Sequence, residues 1–191
     1  MKLMEEKILT DGIVLPGNIL KVGGFLNQQV DVEFMTEVCK EIARLFKDSG
    51  ATKVMTIEAS GIPFATLIAQ TLGIQMIIVK KHASANLGSD VYAAEIYSYT
   101  HGNAYQAVIS KEYLNAGDKI LIADDFLACG NAIKGMRKMI DDAGATLVGC
   151  AAAIEKGFQC GGDELRAEGI HVESLAIVDS MDDEGNITFR S

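Results

Sequence analysis

Residues 119–132, Lys119-Ile120-Leu121-Ile122-Ala123-Asp124-Asp125-Phe126-Leu127-Ala128-Cys129-Gly130-Asn131-Ala132, decide the fold. The stretch opens on an apolar run with the composition of a parallel strand buried on both faces. Two adjacent carboxylates, Asp124 and Asp125, follow at the strand's end, then a short loop containing Gly130. Beyond it Ile133, Met136, Ile140 and Ala143 recur on one helical face. A loop between a strand's end and a helix's start offers N–H groups and the positive end of the helix dipole to an anion. Gly130, with no Cβ, lets the backbone come close to a phosphate. Two neighbouring carboxylates accept hydrogen bonds from adjacent sugar hydroxyls. A phosphate cradle beside diol acceptors suits a phosphorylated ribose. Taken alone, the same residues also read as an ordinary strand–turn–helix with an acidic helix start.

Outside this stretch, 191 residues suit one well-buried domain and are short for two. Apolar residues make up 49%, too many for a disordered chain. No apolar run approaches membrane-spanning length. Met1 to Glu6 lacks the basic-then-apolar order of a signal peptide, so the expected location is the cytoplasm, with no membrane partner. A formal charge of −9 argues against a nucleic-acid partner, which needs basic surface. It does not exclude an anionic ligand, because amides, a few lysines and Mg²⁺ set the field inside a cleft. Cys39, Cys129, Cys150 and Cys160 show no metal-ligand spacing and read as free thiols, Cys39 and Cys150 in the core.

In chain order, Met1 to Asp11 is a short amphipathic start with Leu3, Ile8 and Leu9 as its apolar contacts. Ile13 to Leu26, broken by Pro16, Gly17, Gly23 and Gly24, reads as short extended pieces joined by turns. Asp31 to Ser49 is a helix capped by Asp31 and stopped by Gly50, with Met35, Val38, Cys39, Ile42 and Phe46 at helical spacing. Lys53 to Ile57 is a strand, Glu58 to Pro63 a loop, Phe64 to Thr71 a helix and Gln75 to Val79 a strand. This is a crossover unit, with ligands expected at the strands' C-terminal ends. Lys81 to Asp90 reads as a polar mobile loop. Val91 to Thr100 and Ala104 to Ser110 are strand-like arms about His101-Gly102-Asn103. After the central unit come a strand from Thr146 to Ile154, a short helix around Asp163 to Ala167, and small strands near Ile170, Leu175 and Ile187.

The central stretch resembles the phosphoribosyl-pyrophosphate (PRPP) signature of the type I phosphoribosyltransferases. Ile19-Leu20-Lys21-Val22, Phe25-Leu26-Asn27, Glu58-Ala59-Ser60-Gly61-Ile62-Pro63, Lys81 and Ile154-Glu155-Lys156-Gly157-Phe158 resemble the family's xanthine-using branch in order and spacing, over nearly the whole chain. The resemblance implies an α/β fold, a parallel sheet flanked by helices. A small hood would come from about 1–30 and 155–191, and a flexible loop from about 81–105, within a single domain, 1–191. It implies a purine-salvage transferase joining xanthine to PRPP, with Mg²⁺ brought by PRPP, no dedicated protein metal cage, and a homodimer.

The resemblance also assigns roles. Asp124 and Asp125 would hold the ribose hydroxyls as catalytic residues. Ala128, Cys129, Gly130, Asn131 and Ala132 would form the 5′-phosphate loop, while Ala59, Ser60, Gly61 and Lys81 take the pyrophosphate. Leu20, Asn27, Lys156 and Phe158 would contact the purine. Read without it, 59–63 is a tight turn, Lys81 a solvated lysine, Leu20 and Phe158 core, Asn27 a turn residue and Lys156 a strand-end lysine. Strand alternation sends Lys80 and Lys81 to opposite faces, so one of them faces the cleft. Cys129 stands where the family carries Asn or Thr, Asn131 where Gln or Thr is commoner, and Asn27-Gln28-Gln29 replaces Asn-His-Gln. Ala128 replaces the proton-moving aspartate of hypoxanthine–guanine relatives, which favours a xanthine- or adenine-type site. Rival readings are the same transfer to guanine, hypoxanthine or adenine, a non-catalytic PRPP sensor, and an unrelated nucleotide-binding α/β protein. His82, His101 and His171 read as surface or loop residues.

Overall fold

The structure, a computed structural model, describes residues 1–82, 90–98 and 102–190. The expected polar loop therefore lies outside the described residues at 83–89, as does His101 of the expected turn.

Helix α1 (Lys2–Asp11) leads into two short antiparallel strands, β1 (Ile13–Leu15) and β2 (Ile19–Lys21), and a single wide turn of helix, Gly23–Asn27. On α1 the buried residues are Met4 and Ile8, four apart on one face, while Leu3 and Leu9 are exposed, contrary to expectation. Helix α2 (Val32–Phe46) starts as expected, with the Asp31 side chain accepting from Phe34 N. It stops before Gly50, because Ser49 Oγ donates to Phe46 O at 2.6 Å and closes the last turn early.

Strand β3 (Lys53–Ile57), helix α3 (Ile62–Leu72) and strand β4 (Gln75–Val79) form the crossover unit, with β3 and β4 parallel and in register. Strands β5 (Val91–Ser98) and β6 (Asn103–Ser110) form a separate antiparallel hairpin, tied to the end of β4 by a Lys80–Val108 bridge. Strand β7 (Lys119–Leu127), helix α4 (Asn131–Asp142) and strand β8 (Thr146–Lys156) follow. Helix α5 (Gly161–Ala167), strand β9 (Val172–Met181) and strand β10 (Ile187–Phe189) complete the chain. The small strands expected near Ile170 and Leu175 are thus one ten-residue strand, parallel to β8, that widens the main sheet.

That sheet has the order β10-β9-β8-β7-β3-β4, parallel apart from β10. Strand β7 is central, and its apolar run is buried on both sides. Leu121 and Ala123 join the core under α1, α2 and α3, while Ile120 and Ile122 join the core under α4 and the hairpin. Connections from β3 run outward to β4, and those from β7 run the other way through β8 and β9. The order therefore reverses between β3 and β7, where a cleft opens beyond the strands' C-terminal ends. Among the described residues, no helix is long and apolar enough to cross a membrane.

Candidate active site

The acidic doublet sits at this reversal. Strand β7 runs through Asp124 and Asp125 to Leu127 rather than ending before them, with Asp124 paired to Ala152 and Phe126 to Ile154 of β8, so the strand holds the doublet's backbone on both sides. Both are buried. Asp125 Oδ2 accepts from Asn27 Nδ2 at 2.8 Å and its Oδ1 from Ser60 Oγ at 2.9 Å. Asp125 N donates to Asp124 Oδ1 at 3.0 Å. Burial and the neighbouring Asp125 charge hold the Asp124 carboxyl well above the usual carboxylate range.

The loop after β3 closes against the doublet. A Cβ on Gly61 would lie 2.5 Å from both Asp124 Oδ1 and Thr56 Oγ1, so this contact needs glycine. Thr56 is fully buried and, among the described residues, its hydroxyl has no hydrogen-bond partner. Ala59 lies at the exposed turn, joined to Glu58 by a cis peptide, and Ile62 N donates to Ala59 O at 3.2 Å. Glu58 accepts from Lys81 N at 2.7 Å and Lys80 Nζ at 3.0 Å. Partial burial pushes the Glu58 carboxyl up, but those two donors outweigh it and hold it below its ordinary value. The Lys80 ammonium is thereby occupied. Lys81 Nζ lies 5.7 Å from the centre of the Tyr105 ring, and its charge acts on Asp124. Of the two lysines, Lys81 is the one whose charge reaches Asp124.

On the other side, residues 128–131 turn from β7 into α4. Gly130 holds φ +77° ahead of the helix, a conformation that favours glycine. Ala128, Cys129, Gly130, Asn131 and Ala132 line a cavity of about 160 Å³ with Asp124, Tyr105 and Phe126. Asn131 Nδ2 donates to Tyr97 O at 3.2 Å, so this side chain ties the hairpin to the loop. Lys156, at the end of β8, is half-buried 5.8 Å above the Phe126 ring, and its Nζ donates to Asn18 O at 3.1 Å. Burial lowers its pKa from the usual lysine value, offset in part by Cys129. Leu20 is buried in the core and Phe158 packs against the same cluster, the placements their residue types alone suggested. Asn27 addresses the doublet in this state.

Several residues here carry no sequence signature of their own. Phe126 and Tyr105 are ordinary strand aromatics until the fold sets them under Lys156 and Lys81. Glu155, 1% exposed, accepts both arms of Arg166 at 2.8 and 2.7 Å and Ser174 Oγ at 2.5 Å, anchoring α5 to β8 and β9. Gly161 N donates to Ala128 O at 3.1 Å, buttressing the 128–131 loop. Two glycines opening a helix, Gly161 and Gly162, were the available signal, since helix propensity disfavours them. Of the cysteines, Cys39 and Cys150 are buried thiols pushed up to about 12 by burial, and all four are free. Among the described residues, no group of three or more His, Cys, Asp or Glu is placed to hold a metal.

A switch-point cleft with a buried acidic doublet, a glycine-bearing loop at a helix N-terminus and flanking lysines defines an α/β protein built to hold a sugar phosphate. Residues 33–164 match the family described as Phosphoribosyl transferase domain. Over 191 residues the chain is 46% identical to the xanthine phosphoribosyltransferase of Lachnoclostridium phytofermentans, spanning 100% of this chain and 98% of that protein. It is 49% identical over 193 aligned residues to the Bifidobacterium adolescentis xanthine phosphoribosyltransferase, with 100% of both covered. The chain belongs to the phosphoribosyltransferase family. Solved structures agree in fold. The adenine phosphoribosyltransferase of Trypanosoma brucei, in complex with AMP, pyrophosphate and ribose-5-phosphate, superposes with a TM-score of 0.77 at 16% identity, covering 95% of this chain and 82% of that one. That of Rhodothermus marinus gives 0.75 at 21%, covering 93% and 99%.

Proposed function

We propose that this transferase joins xanthine to the ribosyl carbon of PRPP, giving xanthosine 5′-monophosphate and diphosphate. The observation that supports the reading is one cavity lined by Asp124, Phe126 and the 128–132 loop, with Asp125 between the first two in the strand and the Lys156 ammonium 5.8 Å from the Phe126 ring. In this reading the doublet accepts the 2′- and 3′-hydroxyls, and its negative charge favours the positive charge developing at C1 as the diphosphate departs. Amides of the 128–132 loop and the start of α4 take the 5′-phosphate. Residues 59–61 and Lys81 take the diphosphate. Mg²⁺ enters on the diphosphate and supplies charge neutralisation there; the chain's part is to hold the sugar and the base in line.

Lys156 supports an oxopurine. An ammonium only donates, so it matches a carbonyl and mismatches adenine's exocyclic amine. Ala128 supplies no side chain that could move a proton to the purine ring. In this reading Leu20, Asn27 and Phe158 complete the base site, with Asn27 leaving Asp125 as the sugar arrives. Residues 1–191 act as one domain whose terminal segments carry the base site. We take the working form to be a cytoplasmic homodimer, supported by the exposed Leu9, Ile13, Leu15 and Ile19 of the N-terminal pieces and tested by sedimentation.

Diphosphate release with PRPP and each of xanthine, guanine, hypoxanthine and adenine tests the activity. Xanthine should be used best by a margin on the order of 10⁴ over adenine, the scale set by an unpaired buried donor. Equal rates on adenine overturn the substrate assignment, and no turnover on any purine overturns the activity.

A further inference from the structure

Arg190 is one residue from the end of the sequence, yet its guanidinium joins two elements behind the cleft. Nη1 and Nη2 donate to the Asp163 carboxylate of α5 at 2.6 and 3.2 Å, and Nε donates to Asp179 Oδ1 of β9 at 2.9 Å. Its own N–H donates to Ile177 O at 2.9 Å, which fixes where the side chain starts. Gly157 is seated against this pair. A Cβ there would lie 2.6 Å from Asp179 Oδ1 and 2.9 Å from Arg190 Nη2. Gly157 directly follows Lys156 and precedes Phe158. The residue before Lys156, Glu155, is held by Arg166, whose Nη1 also reaches Asp163 at 3.4 Å. Both chain neighbours of Lys156 are therefore set by arginines that share Asp163. Neither arginine lines the cleft cavity.

We infer that Arg190 is a positioning residue for purine recognition: through Asp163, Asp179 and Gly157 it fixes the turn that presents Lys156 and Phe158. For what the turn binds, this rests on the function proposed above. Arg190 is about one-third exposed, and ion pairs open to solvent add little to global stability. Their combined effect is geometric. Arginine's planar fork spans two carboxylates at once, which a lysine ammonium does not.

The test is steady-state kinetics of the full chain as R190Q and R190K, with xanthine and PRPP varied separately, beside hydrogen exchange of amides 157–161. In R190Q the KM for xanthine should rise on the order of tenfold, the cost of a misplaced binding group, while the KM for PRPP holds within about twofold. R190K should recover part of the loss, and exchange at 157–161 should quicken in R190Q. A lower kcat with both KM values unchanged, both KM values rising together, or unchanged exchange would each overturn the assignment. If the wild-type chain turns over no purine, the proposed function falls, and the exchange measurement still decides whether Arg190 holds the turn.

Discussion

At the scale of single residues, Asp124 and Asp125 share a strand but not a role. Asp125 is dressed by two neutral donors, Asn27 and Ser60. Asp124 is enclosed, and burial beside the Asp125 charge raises its pKa. A raised native value means that the folded chain keeps a proton that the unfolded chain releases near about pH 4. The stability this carboxyl contributes is full below that pH and is lost as pH rises through the native value. Asp124→Asn removes the loss, so the substrate-free variant should melt above wild type at pH 7 and alongside it at pH 4. Equal offsets at the two pH values would mean that Asp124 is ionised in the native state. Turnover should fall in both Asp124→Asn and Asp125→Asn, by about 10²–10³ in kcat/KM if the doublet stabilises developing charge. The doublet's place on a buried strand was legible from the apolar run before it, whereas its role came only from the resemblance, since an acidic helix start accounts for the same residues. That Asp124 is the enclosed one was not legible, since its surroundings and those of Asp125 are built by Asn27, Ser60 and Gly61, residues 63 to 98 positions away in the chain.

Elements whose signal is local were read closely from sequence. Strands β3 and β4 match their expected bounds because each is a short apolar run between breakers. Strand β9 was read as fragments because Glu173 and Ser174 interrupt its apolar pattern. Ser174 is tolerated there because its hydroxyl serves the buried Glu155, a pairing visible only in three dimensions. The junction of α5 with the 128–131 loop is of the same kind. Gly161 lies where a Cβ would run into the backbone of Ala128, Cys129 and Gly130, the last at 2.6 Å. Gly161→Ala must push the 128–131 loop away, because backbone cannot yield as a side-chain tip can. The expected result is a loss of about 1–3 kcal/mol in stability, as for other overpacked sites. With it should come a KM for PRPP raised by about tenfold while that for the purine moves little. This is the reverse of the pattern expected for R190Q. A variant that melts lower but keeps its KM for PRPP would show that the loop does not depend on this buttress.

For the molecule as a whole, topology places the site and net charge shapes the approach to it. The strand order reverses between β3 and β7, so the two loops that follow these strands share one cleft although residues 62–127 lie between them in sequence. A crossover unit was visible in the sequence. The reversal was not, because nothing in β7 states which edge of β3 it joins. Lys81 and Lys156 lie against Tyr105 and Phe126, two aromatic rings of the cavity wall, while the chain as a whole carries −9. An anionic substrate therefore meets long-range repulsion before it meets local attraction. The Debye length is about 30 Å at 0.01 M ionic strength and about 8 Å at 0.15 M, so added salt hides the distant acidic surface first and leaves contacts inside the cleft largely unscreened. With Mg²⁺ held constant, kcat/KM for PRPP should rise by a few-fold over that range and then fall as higher salt reaches the lysine contacts. Rates measured against ionic strength decide between the two fields. A monotonic fall from the lowest salt would mean that the lysines of the cleft already govern the encounter at a distance.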